Sequence, residues 1–350
     1  MAAVTKRRPR KTATVSVETE DGTQADRPKK KAAARKKGVT RRLAVHSYAE
    51  CSEDALKDFV KAACDIGVKG ICDEFIALKL ETQACTKPKT AHDKNADRNR
   101  YKDVYCIDET RVVLKYPEGD AQDYIHANWV KTGDVNKFIC TQGPTEKTIE
   151  DFWRLIWQEK TPCIVMLCNV MEMGKKKCEQ YWPESPEKPM SLGKLTIKLV
   201  EASREVEPNI LLKRMSVSDE TGTVHNLDHW HWKAWPDRGV PEIPMAAFRL
   251  LLRLKAVSPI LVHCSAGIGR TGTIVGLEIA YSKLCAGEKV SLNQIVRDIR
   301  NQRHGSVQTD AQYLFMHRVL LALAENKKIT TPEMATFAAD YDKTMATKAG

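Results

Sequence analysis

One stretch of the chain gathers the residue types needed for covalent chemistry on an anion: Val262-His263-Cys264-Ser265-Ala266-Gly267-Ile268-Gly269-Arg270-Thr271-Gly272. As a thiolate, Cys264 is a strong nucleophile. Six residues on, Arg270 offers a planar fork that grips two oxygens of a tetrahedral anion and tightens as charge moves onto them. Between them Ser265, Ala266, Gly267, Ile268 and Gly269 make a glycine-bearing loop whose backbone N–H groups can converge on one point. The positive end of a following helix adds to that field, which favours thiolate over thiol.

The bare Cys-x5-Arg spacing is weak evidence in a chain with eleven cysteines. Its surroundings carry the weight: a short apolar strand before the cysteine, two glycines within the loop and a helical pattern from Thr273 to Leu284. A nucleotide-binding Walker loop would need Gly-Lys-Ser/Thr where Gly269-Arg270-Thr271 stands.

Such a loop needs a rigid frame. Pro259 to Cys264 and Cys163 to Cys168 are short, apolar and β-rich, as strands buried on both faces are. Strand-like pieces also occur at Arg111–Leu114 and Tyr124–Ala127. Leu56, Phe59, Val60 and Ala63 recur at helical spacing behind the capping candidate Ser52, and a second helix is expected around Ile71 to Leu80. Further helices are expected over Thr148 to Lys160, after Pro244, and behind the caps Ser291 and Thr309. The expected fold class is α/β, a central, highly twisted mixed sheet flanked by helices.

Composition narrows the setting. The chain has 350 residues, 42% of them hydrophobic, and a net charge of +11. That excess is local: residues 1–43 hold 14 Lys/Arg and 4 Asp/Glu, leaving 42 against 41 in the remainder. This N-terminal segment is basic and poor in large apolar residues, so it reads as disordered. The folded part is near neutral, and no specific nucleic acid recognition is expected of it. The scattered cysteines suggest neither a disulfide framework nor a metal site, and no run is apolar enough for a membrane span. A reduced, intracellular compartment is expected.

From His263 to Gly272 the chain resembles the signature HCSAGxGRTG of the tyrosine-specific, cysteine-based protein tyrosine phosphatases, of the single-domain non-receptor type. The resemblance extends over roughly residues 70 to 325. Asn99-Arg100-Tyr101-Lys102-Asp103-Val104, Asp123 to Asn128, Thr141-Gln142-Gly143-Pro144, Asp151-Phe152-Trp153, Lys177 to Pro183, Trp235-Pro236-Asp237 and Gln308 to Tyr313 match the family's other motifs in the family's order. It implies hydrolysis of phosphotyrosine in proteins through a cysteinyl-phosphate on Cys264, with no cofactor and no metal. Arg270 would clamp the phosphate and Asp237 serve as general acid, then base. Gln308, and secondarily Gln312, would position water, and Thr271 would stabilise the departing thiolate. His263 would orient the loop. Tyr101 would wall a deep pocket and Asp103 accept hydrogen bonds from the substrate backbone, while Glu172 and Lys177 would brace Arg270 and the Asp237 loop. Two departures stand out, Arg238 after the acid and His126 in place of an asparagine.

An inactive binding relative would be expected to lack Cys264, Arg270, Asp237 or Tyr101, and all four are present. A lipid phosphatase would favour basic residues inside the loop, and Ser265 to Gly269 carry none. The expected organisation is a basic segment over 1–43, a catalytic domain over 49–325 and a polar, frayed tail over 326–350. Expected partners are phosphotyrosine proteins. The basic segment suggests a nuclear-import signal or an anionic-surface contact, and a cytoplasmic or nuclear location.

Overall fold

The computed structural model describes residues 51–254 and 257–349. The basic segment 1–43 lies outside the described residues. Helix α1 (Glu53–Glu81) opens on Ser52, whose hydroxyl accepts the Ala55 N–H at 3.3 Å, and it breaks at Gly67, φ 68°. The two expected helices are therefore its two halves, and glycine is the residue that tolerates that φ. There follow α2 (Thr90–Lys94), β1 (Arg111–Val113), β2 (Tyr124–Thr132), β3 (Val135–Thr141), α3 (Ile149–Glu159), β4 (Cys163–Met166) and a small hairpin of β5 (Met171–Glu172) and β6 (Lys175–Lys176). Next come β7 (Met190–Leu192), β8 (Leu195–Glu207), β9 (Ile210–Asp219), β10 (Val224–Trp232) and α4 (Pro244–Leu254). The chain closes with β11 (Ile260–His263), α5 (Gly269–Cys285), α6 (Leu292–Arg300), α7 (Asp310–Asn326) and α8 (Pro332–Ala349).

Nine strands form one mixed sheet in the order β1-β2-β3-β11-β4-β10-β9-β8-β7. The inner four, β3, β11, β4 and β10, run parallel, and the outer pairings are antiparallel. Every residue of β4 and β11 is buried, as their apolar runs require. Cys264 thus leaves the sheet at the carboxyl end of a central parallel strand, where open α/β sheets place their ligands.

Three features depart from expectation. The long strands β8 to β10 have no counterpart in the sequence reading, because inward alternation on β8 stops after Leu199 and residues 200–205 are exposed. Helix α5 starts at Gly269, four residues early, which puts Arg270 in its first turn. The frayed tail is instead helix α8, and Met334, Phe337 and Tyr341, spaced by three and four, bury one face of it in the core.

Candidate active site

The phosphate-type loop is shaped from below. Buried Arg303 donates to the carbonyls of Gly267 and Ala266, both at 3.1 Å. A trans peptide sends its N–H opposite its carbonyl, so these bonds turn the next amides toward the other face. There the Gly267 N–H meets the Cys264 sulfur at 3.2 Å. Gly267 has φ 70°, and a Cβ on it would stand 2.1 Å from the Thr141 carbonyl oxygen, so no side chain fits. The Gly143 N–H donates to the Ser265 carbonyl at 2.9 Å and ties the loop to the end of β3.

His126 belongs to this foundation. Its Nε2–H donates to the Val104 carbonyl at 2.9 Å, and its Nδ1 accepts from Arg303 at 3.1 Å. Burial, reinforced by Arg303, holds the imidazole neutral. This departure therefore serves the loop's support and leaves the reacting groups intact. Asn128 Oδ1 takes a further Arg303 proton at 2.8 Å.

His263 is fully buried, and burial lowers its pKa to about 3. Its Nδ1 can only donate to the Cys264 carbonyl, at 3.1 Å, so its Nε2 accepts from the Tyr181 hydroxyl at 2.8 Å. Tyr181 has one proton to give, so its oxygen accepts from His229 Nε2 at 2.7 Å. That leaves His229 Nδ1 bare, and it is buried without a partner among the described residues. His263 thus has no nitrogen free for proton transfer.

Arg270 is 2% exposed and forked onto Glu172 at 2.7 and 2.8 Å. It also donates to the Trp235 carbonyl at 3.0 Å and to Asp237 at 3.2 Å. Burial disfavours its charge, but the Glu172 carboxylate and the nearby Cys264 and Cys168 together outweigh burial and raise its pKa, so the guanidinium stays protonated. Asp237 sits between Arg270 and Lys177, whose ammonium lies 2.5 Å away. Burial pushes its carboxyl up, yet the Lys177 hydrogen bond and the Arg270 charge together hold it below the usual range. The loop bearing it is anchored by buried Trp235, whose indole N–H donates to the Gly239 carbonyl at 3.1 Å and whose ring packs 4.9 Å from Trp232. Arg238 adopts φ 59°, and its carbonyl accepts the Thr309 hydroxyl at 3.3 Å.

Thr309 caps α7, as its sequence position suggests, in a reciprocal capping box with Gln312. The Gln312 Oε1 is occupied by the N–H groups of Gln308 and Thr309 at 3.0 and 3.4 Å. A Cβ on Gly269 would lie 3.0 Å from Gln312 Nε2 and 3.1 Å from Gln308 Oε1, so both amides overhang the loop. The Thr271 hydroxyl is buried without a partner among the described residues. Ser265 donates to the Lys177 carbonyl at 2.9 Å, so the Tyr101 hydroxyl, 2.9 Å away, is the donor to Ser265. Tyr101 is thereby hung from the loop.

A cavity of about 360 Å³ is lined by Tyr101, Asp103, Lys177, Asp237, Cys264, Ser265, Ala266, Gly269, Arg270, Gln308 and Gln312, among others. Every candidate named from sequence except His263, Thr271, Gly267, Ile268 and Glu172 lines it. Gly267 and Ile268 are in the loop, His263 ends the strand before it, Thr271 lies in the first turn of the helix after it, and Glu172 is bonded to Arg270. Arg303 has no place in the sequence reading, and Tyr181 and Arg100 stand there only as members of motifs, with no role given. Arg100 holds the carbonyls of Gly143 and Pro144 at 2.9 and 2.5 Å. Their signal is faint, since a charged or phenolic side chain gives no hint in sequence that it is buried under a loop.

The family model described as protein-tyrosine phosphatase matches residues 95–322. Tyrosine-protein phosphatase 69D of Drosophila melanogaster is 38% identical over 240 residues, 65% of this chain and 16% of its own length. Human receptor-type tyrosine-protein phosphatase C is 36% identical over 236 residues, 65% of this chain and 18% of its own. The chain thus spans under a fifth of the length of these two relatives. The crystal structure of the catalytic domain of human protein tyrosine phosphatase non-receptor type 18 superposes with a TM-score of 0.68 at 30% identity, covering 77% of this chain and 99% of that one. The same protein in complex with HER2 phosphopeptides gives 0.71 at 29% identity, covering 77% and 99%.

Proposed function

The chain belongs to the protein-tyrosine phosphatase family and has its fold, and from that premise we propose that it hydrolyses phosphotyrosine in proteins through a cysteinyl-phosphate on Cys264. The observation that carries the reading is the meeting of a sulfur held by a loop N–H, a buried forked arginine and a loop carboxylate in one cavity.

Binding begins with an exchange. The phosphate dianion takes loop N–H groups and the face of Arg270 that now serves Asp237. Glu172 keeps the guanidinium planar and in place. Once Arg270 is neutralised by phosphate, the dianion's field favours a proton on Asp237, which becomes a general acid for the leaving phenolate. The sulfur attacks phosphorus as the P–O bond to tyrosine breaks. Asp237, now a carboxylate, next takes a proton from water aligned by Gln308, with Gln312 Nε2 assisting. The water oxygen bonds to phosphorus as the P–S bond breaks, giving orthophosphate, and the Thr271 hydroxyl stabilises the returning thiolate. Asp103 is assigned to the substrate backbone.

Depth sets substrate class. Tyr101, hung from Ser265, makes a wall that a phenyl ring reaches past and a serine side chain does not. With purified protein, kcat/KM for phosphotyrosine peptides is expected to exceed that for matched phosphoserine peptides by about 10²-fold or more. Comparable rates on both would overturn the assignment.

The basic clusters Lys6 to Lys11 and Lys29 to Lys37 support an address function, nuclear import or attachment to an anionic surface, on charge alone. No helix among the described residues is long and apolar enough to cross a membrane. Deleting residues 1–43 is expected to leave kcat/KM on a small peptide within about threefold, since no site residue lies there. The deletion should shift cellular distribution or a salt-sensitive association. Unchanged localisation and unchanged binding to anionic vesicles would reduce the segment to a solvated end.

A further inference from the structure

The hairpin of β5 and β6 does more than supply Glu172. Its two-residue turn, Met173 and Gly174, has φ 47° and 71°, the mirror-type geometry that pins a tight hairpin. Glu172 stands directly opposite Lys175 in the ladder, so both side chains share a face. That face looks into the cavity, because Glu172 reaches Arg270. Lys177, just past β6, lines the cavity as well. Glu172 spends both oxygens on Arg270, which leaves its cross-strand neighbour without a carboxylate. Lys176 pairs with Glu179 at 2.6 Å. Lys175 is exposed, lines the cavity and makes no hydrogen bond or ion pair among the described residues.

Arg238 is the second such cation. It follows the acid Asp237, is exposed, lines the same cavity, and its guanidinium likewise has no hydrogen bond or ion pair among the described residues. Its φ of 59° is a conformation unfavourable to a non-glycine residue, and the Thr309 hydroxyl donates to its carbonyl. Five cations and two acids line the cavity, and ion pairs account for Lys176, Lys177 and Arg270 only. Among the described residues the cavity therefore carries two cations without an ion-pair partner, on two different elements, against one unpaired acid, Asp103, which the proposed function gives to the substrate backbone.

We propose that Lys175 and Arg238 form a second anion subsite at the cavity mouth, which selects substrates bearing another negative group, a carboxylate or a phosphoryl, close in sequence to the phosphotyrosine. This rests on the phosphotyrosine reading of the same site. Recognition is electrostatic at an exposed rim, so it is sensitive to salt.

The test compares three peptides that share one phosphotyrosine core: neutral glutamine flanks, glutamate flanks, and one phosphoserine flank. Each enzyme serves as its own reference through the ratio of anionic to neutral kcat/KM, because Arg238 also lies in the field of Asp237. The wild-type ratio is expected to be about tenfold at low ionic strength and to shrink toward unity near 0.5 M salt. Lys175→Gln with Arg238→Gln should bring it below about threefold, and Lys175→Glu should invert it. A glutamate effect identifies acidic sequence as the ligand, and an effect of phosphoserine alone identifies a second phosphorylation; either supports the subsite. Equal turnover of all three peptides by wild type, or an unchanged ratio in the double variant, overturns it. Failure of wild type to hydrolyse any of them would instead overturn the phosphotyrosine reading.

Discussion

Cys264→Ser is expected to abolish turnover while leaving phosphopeptide binding measurable. The sulfur is 4% exposed and accepts the Gly267 N–H at 3.2 Å. A hydroxyl fills nearly the same space and accepts the same bond, so the anion seat survives. Serine, unlike cysteine, needs a base to become a nucleophile. None is available: His263 is committed to the Cys264 carbonyl and to Tyr181, and in the complex Asp237 holds the proton meant for the leaving group. Residual hydrolysis above about one per cent of wild type, with contamination excluded, would sink the covalent mechanism.

Asp237→Ala is expected to lower kcat by about 10²–10⁴-fold, the usual worth of a placed acid. Affinity should hold or tighten, because the carboxylate that competes for Arg270 and Lys177 is gone. The sign with pH follows from the role. In the complex the acid works while it keeps its proton, so wild-type rates fall on the basic limb as the proton leaves, and the alanine variant loses that limb. Binding of a phosphotyrosine peptide by calorimetry alongside single-turnover rates separates the two effects. An unchanged kcat would move the acid role to another group.

What was readable in sequence and what was not divides along physical lines. Cys264, Arg270 and Asp237 were legible as candidates because the proposed chemistry dictates residue type and spacing, and the fold brings all three to one cavity. The caps Ser52, Ser291 and Thr309 could be found because orphan N–H groups demand short polar acceptors, and each does accept one. Strands β4 and β11 announced themselves by apolar runs. Strands β8 to β10 did not, since their outer halves are paired by backbone hydrogen bonds that no side chain records. Helix α8 was misread for a different reason. Its stripe of Met334, Phe337 and Tyr341 is thin and set among Ala, Thr, Asp and Lys, and the periodicity was present but outweighed by polar composition. Arg303 and Tyr181 are the hardest class, polar groups whose role exists only once distant segments close over them.

The rigidity of the loop bears on how the product leaves. Gly267 and Gly143 are fitted so tightly that a Cβ would stand 2.1 Å from the Thr141 carbonyl oxygen and 2.9 Å from that of Cys264. Arg303 fastens the same loop from beneath. A seat locked in this way is already complete when empty, so orthophosphate meets the same welcoming amides as the incoming ester did. It cannot be expelled by relaxing the seat. The movable part is the carboxylate of Asp237, which lies 3.2 Å from Arg270. On the proposed chemistry, its return to that guanidinium displaces the product, and the residue that begins the cycle as a proton donor ends it as a competing anion.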